Sequence, residues 1–193
     1  LTRGINGYNK SKFRPTEIYK KKPLVVGLGG IGVGVAEKLN AFGAIVSSAD
    51  TGLKPTYSFI KKYYDISELK KIIFKFDIVV NTTPLTKKTY NLFNKNIFKK
   101  MKKGVFFVNV SRGDIVNTND LKEFIKLDKF SGVGLDIIGS EDFVKKNPFE
   151  KYKNVIFTNH LAGVTTDNTR RFELLEKNLN NYVNNEYLIN IVD

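Results

Sequence analysis

The chain has 193 residues, enough to bury a core as one domain or as one domain with an appendage. Apolar residues at 41% and charged residues at 26% are ordinary for a soluble globular protein, and no apolar run approaches the roughly 20 residues of a membrane span. The net charge of +13 comes from 27 Lys and 5 Arg scattered in doublets such as Lys61-Lys62, Lys87-Lys88 and Lys145-Lys146. With no basic cluster interleaved with aromatics, that pattern reads as a solvated surface, not a nucleic-acid interface.

Zero cysteines exclude disulfides and cysteine-ligated metal, and fit a reducing, cytoplasmic compartment. No metal site is expected. The opening "LTRGINGYNK" lacks both a signal peptide's apolar core and an initiator Met, so the reading expects a piece of a longer polypeptide.

Residues 1–20 are polar and irregular, with Gly4, Gly7 and Pro15, and read as a lead-in. A first strand is expected over 24–27, followed by a helix with Ile31, Val35, Leu39 and Phe42 at helical spacing. Further strands are expected over 44–46, 77–81, 105–110, 133–136 and 155–158. Between them, Leu69, Ile72 and Ile73 follow a Ser67 N-cap, and Leu121, Phe124 and Ile125 follow Asn119. A last helix places Phe172, Leu175, Leu179 and Val183 on one side, with Arg171, Glu173 and Lys177 on the other. The strand runs are almost continuously apolar, which suits strands covered on both faces. Strand alternating with helix implies an α/β fold with a doubly wound parallel sheet. No repeat, linker or low-complexity block interrupts it.

Five glycines fall within eight residues of "PLVVGLGGIGVG". Gly27, Gly29 and Gly32 form G-x-G-x-x-G, after a strand and opening a helix. In that context Gly27 makes the tight turn and Gly29 lets the backbone approach a pyrophosphate. Gly32 lets the helix pack close to the strand, and the helix N-terminus faces the anion. An acidic residue at the end of the second strand is the accompanying signal, and Asp50 stands eighteen residues after Gly32. A carboxylate there accepts hydrogen bonds from a ribose diol and repels a 2′-phosphate, favouring NAD over NADP. The plainer alternative is a turn cap before Thr51-Gly52.

The single histidine, His160, follows a predicted strand; so do Arg112 and Glu141. Ligands of doubly wound sheets bind at the carboxyl ends of strands. An imidazole, a guanidinium and a carboxylate at three strand ends form a working set for hydride transfer with a hydroxy acid. Arg112 would hold the substrate carboxylate, His160 would exchange a proton with the substrate oxygen, and Glu141 would fix the imidazole's tautomer. Three unrelated surface residues are the alternative.

From about Pro23 to the end, the chain resembles the cofactor domain of the D-isomer-specific 2-hydroxyacid dehydrogenase family. The likeness runs through "VVGLGGIG", "DIVVNTTPLT", "MKKGVFFVNVSRGDIV", "FSGVGLDIIGSED", "NVIFTNHLAG" and "NNEYLINIVD". It implies a Rossmann-like dinucleotide-binding domain over 21–165, with 166–193 as a helix returning towards a split substrate domain that is mostly absent. It aligns Arg112, Glu141 and His160 with the family's catalytic arginine, glutamate and histidine. It also implies a cofactor shell in which Gly30 and Ile31 meet the pyrophosphate and Asp50 the adenosine ribose. Thr83 and Pro84 would lie along the cofactor, which Val110, Ser111 and Arg112 approach. Asp136 would take the nicotinamide amide, with Ala162 and Gly163 beside the ring after His160.

Three positions depart from the family pattern: Asn159 and Asp142 replace prolines, and Gly30 replaces a basic residue of the glycine loop. The family's substrate domain is built mostly from an N-terminal segment of about a hundred residues. This sequence does not contain it, so the chain is expected to bind NAD better than it catalyses. The resemblance implies a cytoplasmic homodimer acting on a small 2-hydroxy or 2-oxo acid of the phosphoglycerate, glycerate/hydroxypyruvate/glyoxylate or lactate type, with no nucleic-acid or membrane partner. The alternative carried on the same fold is an NAD-sensing, corepressor-like interaction module.

Overall fold

Seven strands form one all-parallel sheet among the residues described, which in this computed structural model are 16–52, 55–139, 147–189 and 191. In chain order they are β1 (Pro23–Val26), β2 (Ser47–Asp50), β3 (Lys62–Asp65), β4 (Ile78–Asn81), β5 (Val105–Asn109), β6 (Phe130–Leu135) and β7 (Val155–Phe157). In space the order is β3-β2-β1-β4-β5-β6-β7, so the winding reverses beside β1. Right-handed crossovers put the connections of the two halves on opposite faces. All seven carboxyl ends therefore share one edge. The Rossmann-like reading of the sequence is what the fold shows.

The helices of the first half and the second differ in what they bury. α1 (Gly30–Ala41) turns Gly32 and Ala36 inward. Small residues let it approach the sheet closely, and Ile31, expected on the apolar face, is 62% exposed. Around α1 a core forms from Val25, Leu28, Ala36, Val46 and Ile60. On the other face, α2 (Leu69–Ile72), α3 (Lys95–Lys100) and α4 (Thr118–Lys126) cover a larger core. Its centre is aromatic, with Phe98 meeting Phe107 and Phe130 edge-on, each at 5.6 Å between ring centroids.

Four expectations need correcting. β2 begins at Ser47, beyond the apolar run 44–46, because small buried serines, not Val or Ile, sit where β1 presses against it. β3, "KYYD", carried no apolar signal because it is a partly exposed edge strand. The N-caps are Asp65, in a reciprocal capping box with Glu68, and Asn117, whose side chain accepts from the Asp120 N–H; they are not Ser67 and Asn119. Finally, among the described residues the cover of the sheet is less even than continuously apolar strands suggest. Over β4 and β5 the α1 side opens into an apolar cavity of about 430 Å³ lined by Val35, Leu39, Ile78, Val80, Phe106 and Val108, among others.

The chain divides into two compact units, Leu1–His160 and Leu161–Asp193. The second holds α5 (Thr169–Val183), at the position its spacing predicts. Asn178 anchors the following tail, donating to Ile189 O at 3.0 Å and accepting from Ile189 N at 2.8 Å. Phe172, Leu175, Leu179 and Val183 are all exposed, since a unit of this size has too little chain to enclose its own apolar stripe. No helix among the described residues is long and apolar enough to cross a membrane.

Candidate functional site

The glycine turn follows from β1 ending under crossing chain. Gly27 has φ 96°, and a Cβ there would stand 2.8 Å from the Thr83 backbone nitrogen, so both conformation and space demand glycine. A Cβ on Gly32 would lie 1.9 Å from Gly27 O, which is the close helix–strand packing expected of it. Thr82 Oγ1 fastens the turn, donating to Gly27 O at 2.7 Å. Gly29 and Gly30 are the opposite case: nothing lies within 4 Å of where a Cβ would be. Gly29 caps α1 without a side-chain hydrogen bond. An open backbone at the N-terminus of a 12-residue helix suits a pyrophosphate, so the residues present fit a dinucleotide.

Asp50 ends β2 and turns its carboxylate to this loop, accepting from Leu28 N and, at 2.6 Å, from Thr51 N. It thus caps the turn before Gly52 and also braces the glycine turn. The next strand ends are joined one to another. Thr83, buried after β4, donates to Asn81 Oδ1 at 2.7 Å, and Ser111 Oγ donates to Thr83 O. Exposed Pro84 accepts through its carbonyl from Thr89 Oγ1 at 2.6 Å. Val110 bonds back through its N–H to Asn81 O at 3.3 Å. Arg112 follows in an extended conformation with its side chain exposed, Nη1 lying 3.3 Å from Ser111 O.

On the far side, Asp136 is 4% exposed at the end of β6. Its N–H donates to Asn109 O at 3.0 Å, and its Oδ1 accepts from Thr158 Oγ1 at 2.5 Å. Its carbonyl accepts from the His160 N–H at 2.5 Å, setting the loop after β7. Asn159 and His160 are both left-handed, at φ 52° and 60°. A proline ring cannot reach such a φ, whereas asparagine tolerates it well. Asn159 thus accommodates a loop path that leaves the imidazole exposed.

The structure thus brings Gly27 to Gly32, Asp50, Thr83, Pro84, Val110 to Arg112, Asp136 and His160 to one edge of the sheet, linked strand to strand. Glu141 and Asp142 lie outside the described residues. Ala162 and Gly163 belong to the second unit, where Gly163 O accepts from Arg171 Nη2 at 2.6 Å.

Sequence reasoning missed two pairs that shape this edge. Asn81 and Asn109, both wholly buried, meet side chain to side chain, and Asn109 also donates to Arg112 O at 3.1 Å. Gly113 and Gly139 bring the loops after β5 and β6 into backbone contact: a Cβ on Gly113 would stand 2.1 Å from Gly139 N. An asparagine at the end of one predicted strand, 77–81, and another next to the end of a second, 105–110, were the available signal for the first pair.

Residues 2–162 match the profile of the D-isomer specific 2-hydroxyacid dehydrogenase NAD-binding domain. A glyoxylate reductase of Thermofilum pendens is 33% identical over 156 residues, 80% of this chain and 46% of that protein. A D-3-phosphoglycerate dehydrogenase of Bacillus subtilis is 34% identical over 161 residues, 83% of this chain and 30% of that protein. The chain thus spans less than half the length of either relative. Among solved structures, a probable 2-hydroxyacid dehydrogenase from Rhizobium etli, in complex with NADP, HEPES and L(+)-tartaric acid, superposes with a TM-score of 0.83 at 26% identity. The match covers 94% of this chain and 58% of that one. The apo D-lactate dehydrogenase of Escherichia coli gives a TM-score of 0.72 at 29% identity, covering 91% and 55%. With a profile match over most of its length, the chain belongs to the D-isomer specific 2-hydroxyacid dehydrogenase family.

Proposed function

We propose that this chain is the cofactor-binding part of an NAD-dependent oxidoreductase that interconverts a small D-2-hydroxy acid and its 2-oxo acid. The observation that carries the reading is the shared edge: Arg112 after β5 and His160 after β7 stand at the same ends of parallel strands as the glycine turn. Substrates of the phosphoglycerate, glycerate/hydroxypyruvate/glyoxylate or lactate type fit it, in keeping with the relatives' names. Those names are of reductases and dehydrogenases, so the corepressor-like module is not favoured.

When bound, the nicotinamide supplies or accepts the hydride. Gly29, Gly30 and Ile31 hold the pyrophosphate through backbone N–H groups at the start of α1. Asp50 takes the adenosine ribose, and its charge disfavours a 2′-phosphate, so NAD is proposed over NADP. Thr83, Pro84, Val110 and Ser111 border the cofactor, with Ala162 and Gly163 assigned to the nicotinamide end. Asp136 receives the carboxamide. Arg112 holds the substrate carboxylate as a bidentate pair and polarises the reacting carbonyl. His160 delivers a proton to the carbonyl oxygen during reduction and removes it from the hydroxyl during oxidation. Glu141 completes the set as the imidazole's partner. A cytoplasmic homodimer, with residues 21–165 as the dinucleotide domain, belongs to the same proposal.

The test compares NADH binding with turnover in wild type and His160→Ala. NADH oxidation would be followed with glyoxylate, hydroxypyruvate, pyruvate and phosphohydroxypyruvate. Loss of about 10²–10⁴ in turnover, with NADH affinity held within threefold, is expected of a general acid–base. Equal loss of both would contradict the role.

A further inference from the structure

The edge of the sheet opposite the glycine turn carries a second concavity, of about 510 Å³. It lies at the amino ends of the strands. Lys22 precedes β1, Lys61 precedes and Lys62 opens β3, Lys75 comes from the helical turn before β4, and Lys102 from the turn before β5. Five of its ten lining residues are lysine, against 27 of 193 in the chain, and none is a carboxylate. Composition alone does not account for that density. The sequence showed dispersed doublets because the cluster is assembled from four separate strand entries.

The charges there are poorly compensated. Lys102 Nζ pairs with Asp77 Oδ1 at 2.6 Å. Among the described residues, no ion pair involves Lys22, Lys61, Lys62 or Lys75. Lys62 and Lys75 instead hold their ammonium groups 4.9 and 5.9 Å from the centre of the Tyr64 ring. An aromatic face offsets only a small part of a cation's charge, so the cavity keeps a positive potential that an anion would relieve. The lysine backbones are held by the sheet. Lys61 N donates to Val46 O at 2.8 Å, Lys22 N to Asp77 Oδ2 at 2.9 Å, and Lys62 sits in register with Ser47. Phe74, 54% exposed, and Ile45 add an apolar wall. The volume lies within the range of small-molecule sites.

We propose that this concavity binds a small anion carrying two or more phosphate groups, at a site separate from the glycine turn. The lysines take the phosphates, and the Phe74 wall offers a place for a planar ring. Free polyphosphate and a nucleotide present the same phosphate chemistry to the lysines. The proposal does not rest on the dehydrogenase reading.

Calorimetric titration of the 193-residue chain with inorganic tripolyphosphate and with ADP tests it, in wild type and in a Lys61→Gln/Lys75→Gln variant. A Lys122→Gln/Lys126→Gln variant on α4 is the control for charge alone. At least tenfold weaker binding in the first variant, with the control within twofold of wild type, is the expected result. Tighter binding of ADP than of tripolyphosphate, lost with the lysines, assigns a nucleotide; equal binding assigns the phosphates alone. Equal loss in both variants means diffuse attraction and overturns the site. No loss in either means that the anion binds elsewhere, at the glycine turn, and overturns it too. A single-stranded RNA that binds more tightly than either anion, through the same lysines, overturns the small-ligand assignment. If the double variant does not fold, amine-labelling of wild type decides: tripolyphosphate must protect Lys61 and Lys75, and unprotected lysines refute the site.

Discussion

Asn81 Nδ2 donates a 2.8 Å hydrogen bond to Asn109 Oδ1, joining the carboxyl ends of β4 and β5 through two fully buried amides. Each amide also holds the loop that follows. Asn81 Oδ1 accepts from Thr83 Oγ1 and N–H, and Asn109 reaches Ser111 N and Arg112 O. The proposed cofactor loop and the proposed substrate arginine are positioned by one buried pair. Removing Asn109 takes the acceptor from the buried Asn81 Nδ2, at a cost of about 1–3 kcal/mol. In a double-mutant cycle by urea unfolding, Asn81→Ala and Asn109→Ala are expected to couple by about 1 kcal/mol. Strict additivity would mean that the pair does not act as a unit.

The aromatic centre sets how much of the fold's stability lies behind the second half of the sheet. Phe98 is wholly buried between Phe107 and Phe130. Phe98→Ala is expected to destabilise by about 3–5 kcal/mol, from lost burial plus the cavity it leaves. A drop under 1 kcal/mol in urea unfolding would mean that this packing is wrong.

Asp77 gives a pH dependence with a definite sign. Partial burial works to raise its pKa, but the hydrogen bonds from Lys102 Nζ and Lys22 N–H, with the charges of Lys102 and Lys21, outweigh it and hold the carboxyl below its ordinary value of 3.8. A lowered folded value means that the stabilisation is fully present above pH 3.8 and is lost as pH falls through the lower value. Asp77→Asn is therefore expected to cost about 1 kcal/mol at pH 7 and progressively less below that point. A wild-type-to-variant difference that grows on acidification would reverse the assignment.

Asp50, proposed to read the ribose, braces the glycine turn through Leu28 N. Asp50→Ala is expected to weaken NADH about tenfold, equivalent to about 1.4 kcal/mol, and to narrow any preference over NADPH. Fluorescence titration with both cofactors checks this. An unchanged preference would remove the carboxylate from cofactor selection.

What the sequence made legible was whatever needed an extreme residue type. Gly27 and Gly32 stood out because no Cβ fits where the chain crosses itself, and the apolar runs of β1, β4 and β5 marked the sheet's centre. β3 stayed hidden because an edge strand with exposed Lys62 and Asp65 has no apolar pattern to read. Burial on both faces was inferred from continuous apolarity. Phe106 and Val108 are apolar too, yet they border an open cavity, and a strand's composition does not say which neighbour covers it. Asn109 went unremarked because a single asparagine at a strand end reads as a turn former until its partner across the sheet is known. The lysine cavity was invisible for the same reason, its members being distant in sequence.

The most direct test uses the fact that the chain has one histidine. In a proton–carbon NMR titration, the lone imidazole signal of His160 reports whether a bound nicotinamide lies beside it. On adding NADH, that signal is expected to shift and saturate with the same dissociation constant that fluorescence gives for the chain. A chain that binds NADH while the imidazole signal stays unmoved would contradict the shared-edge site.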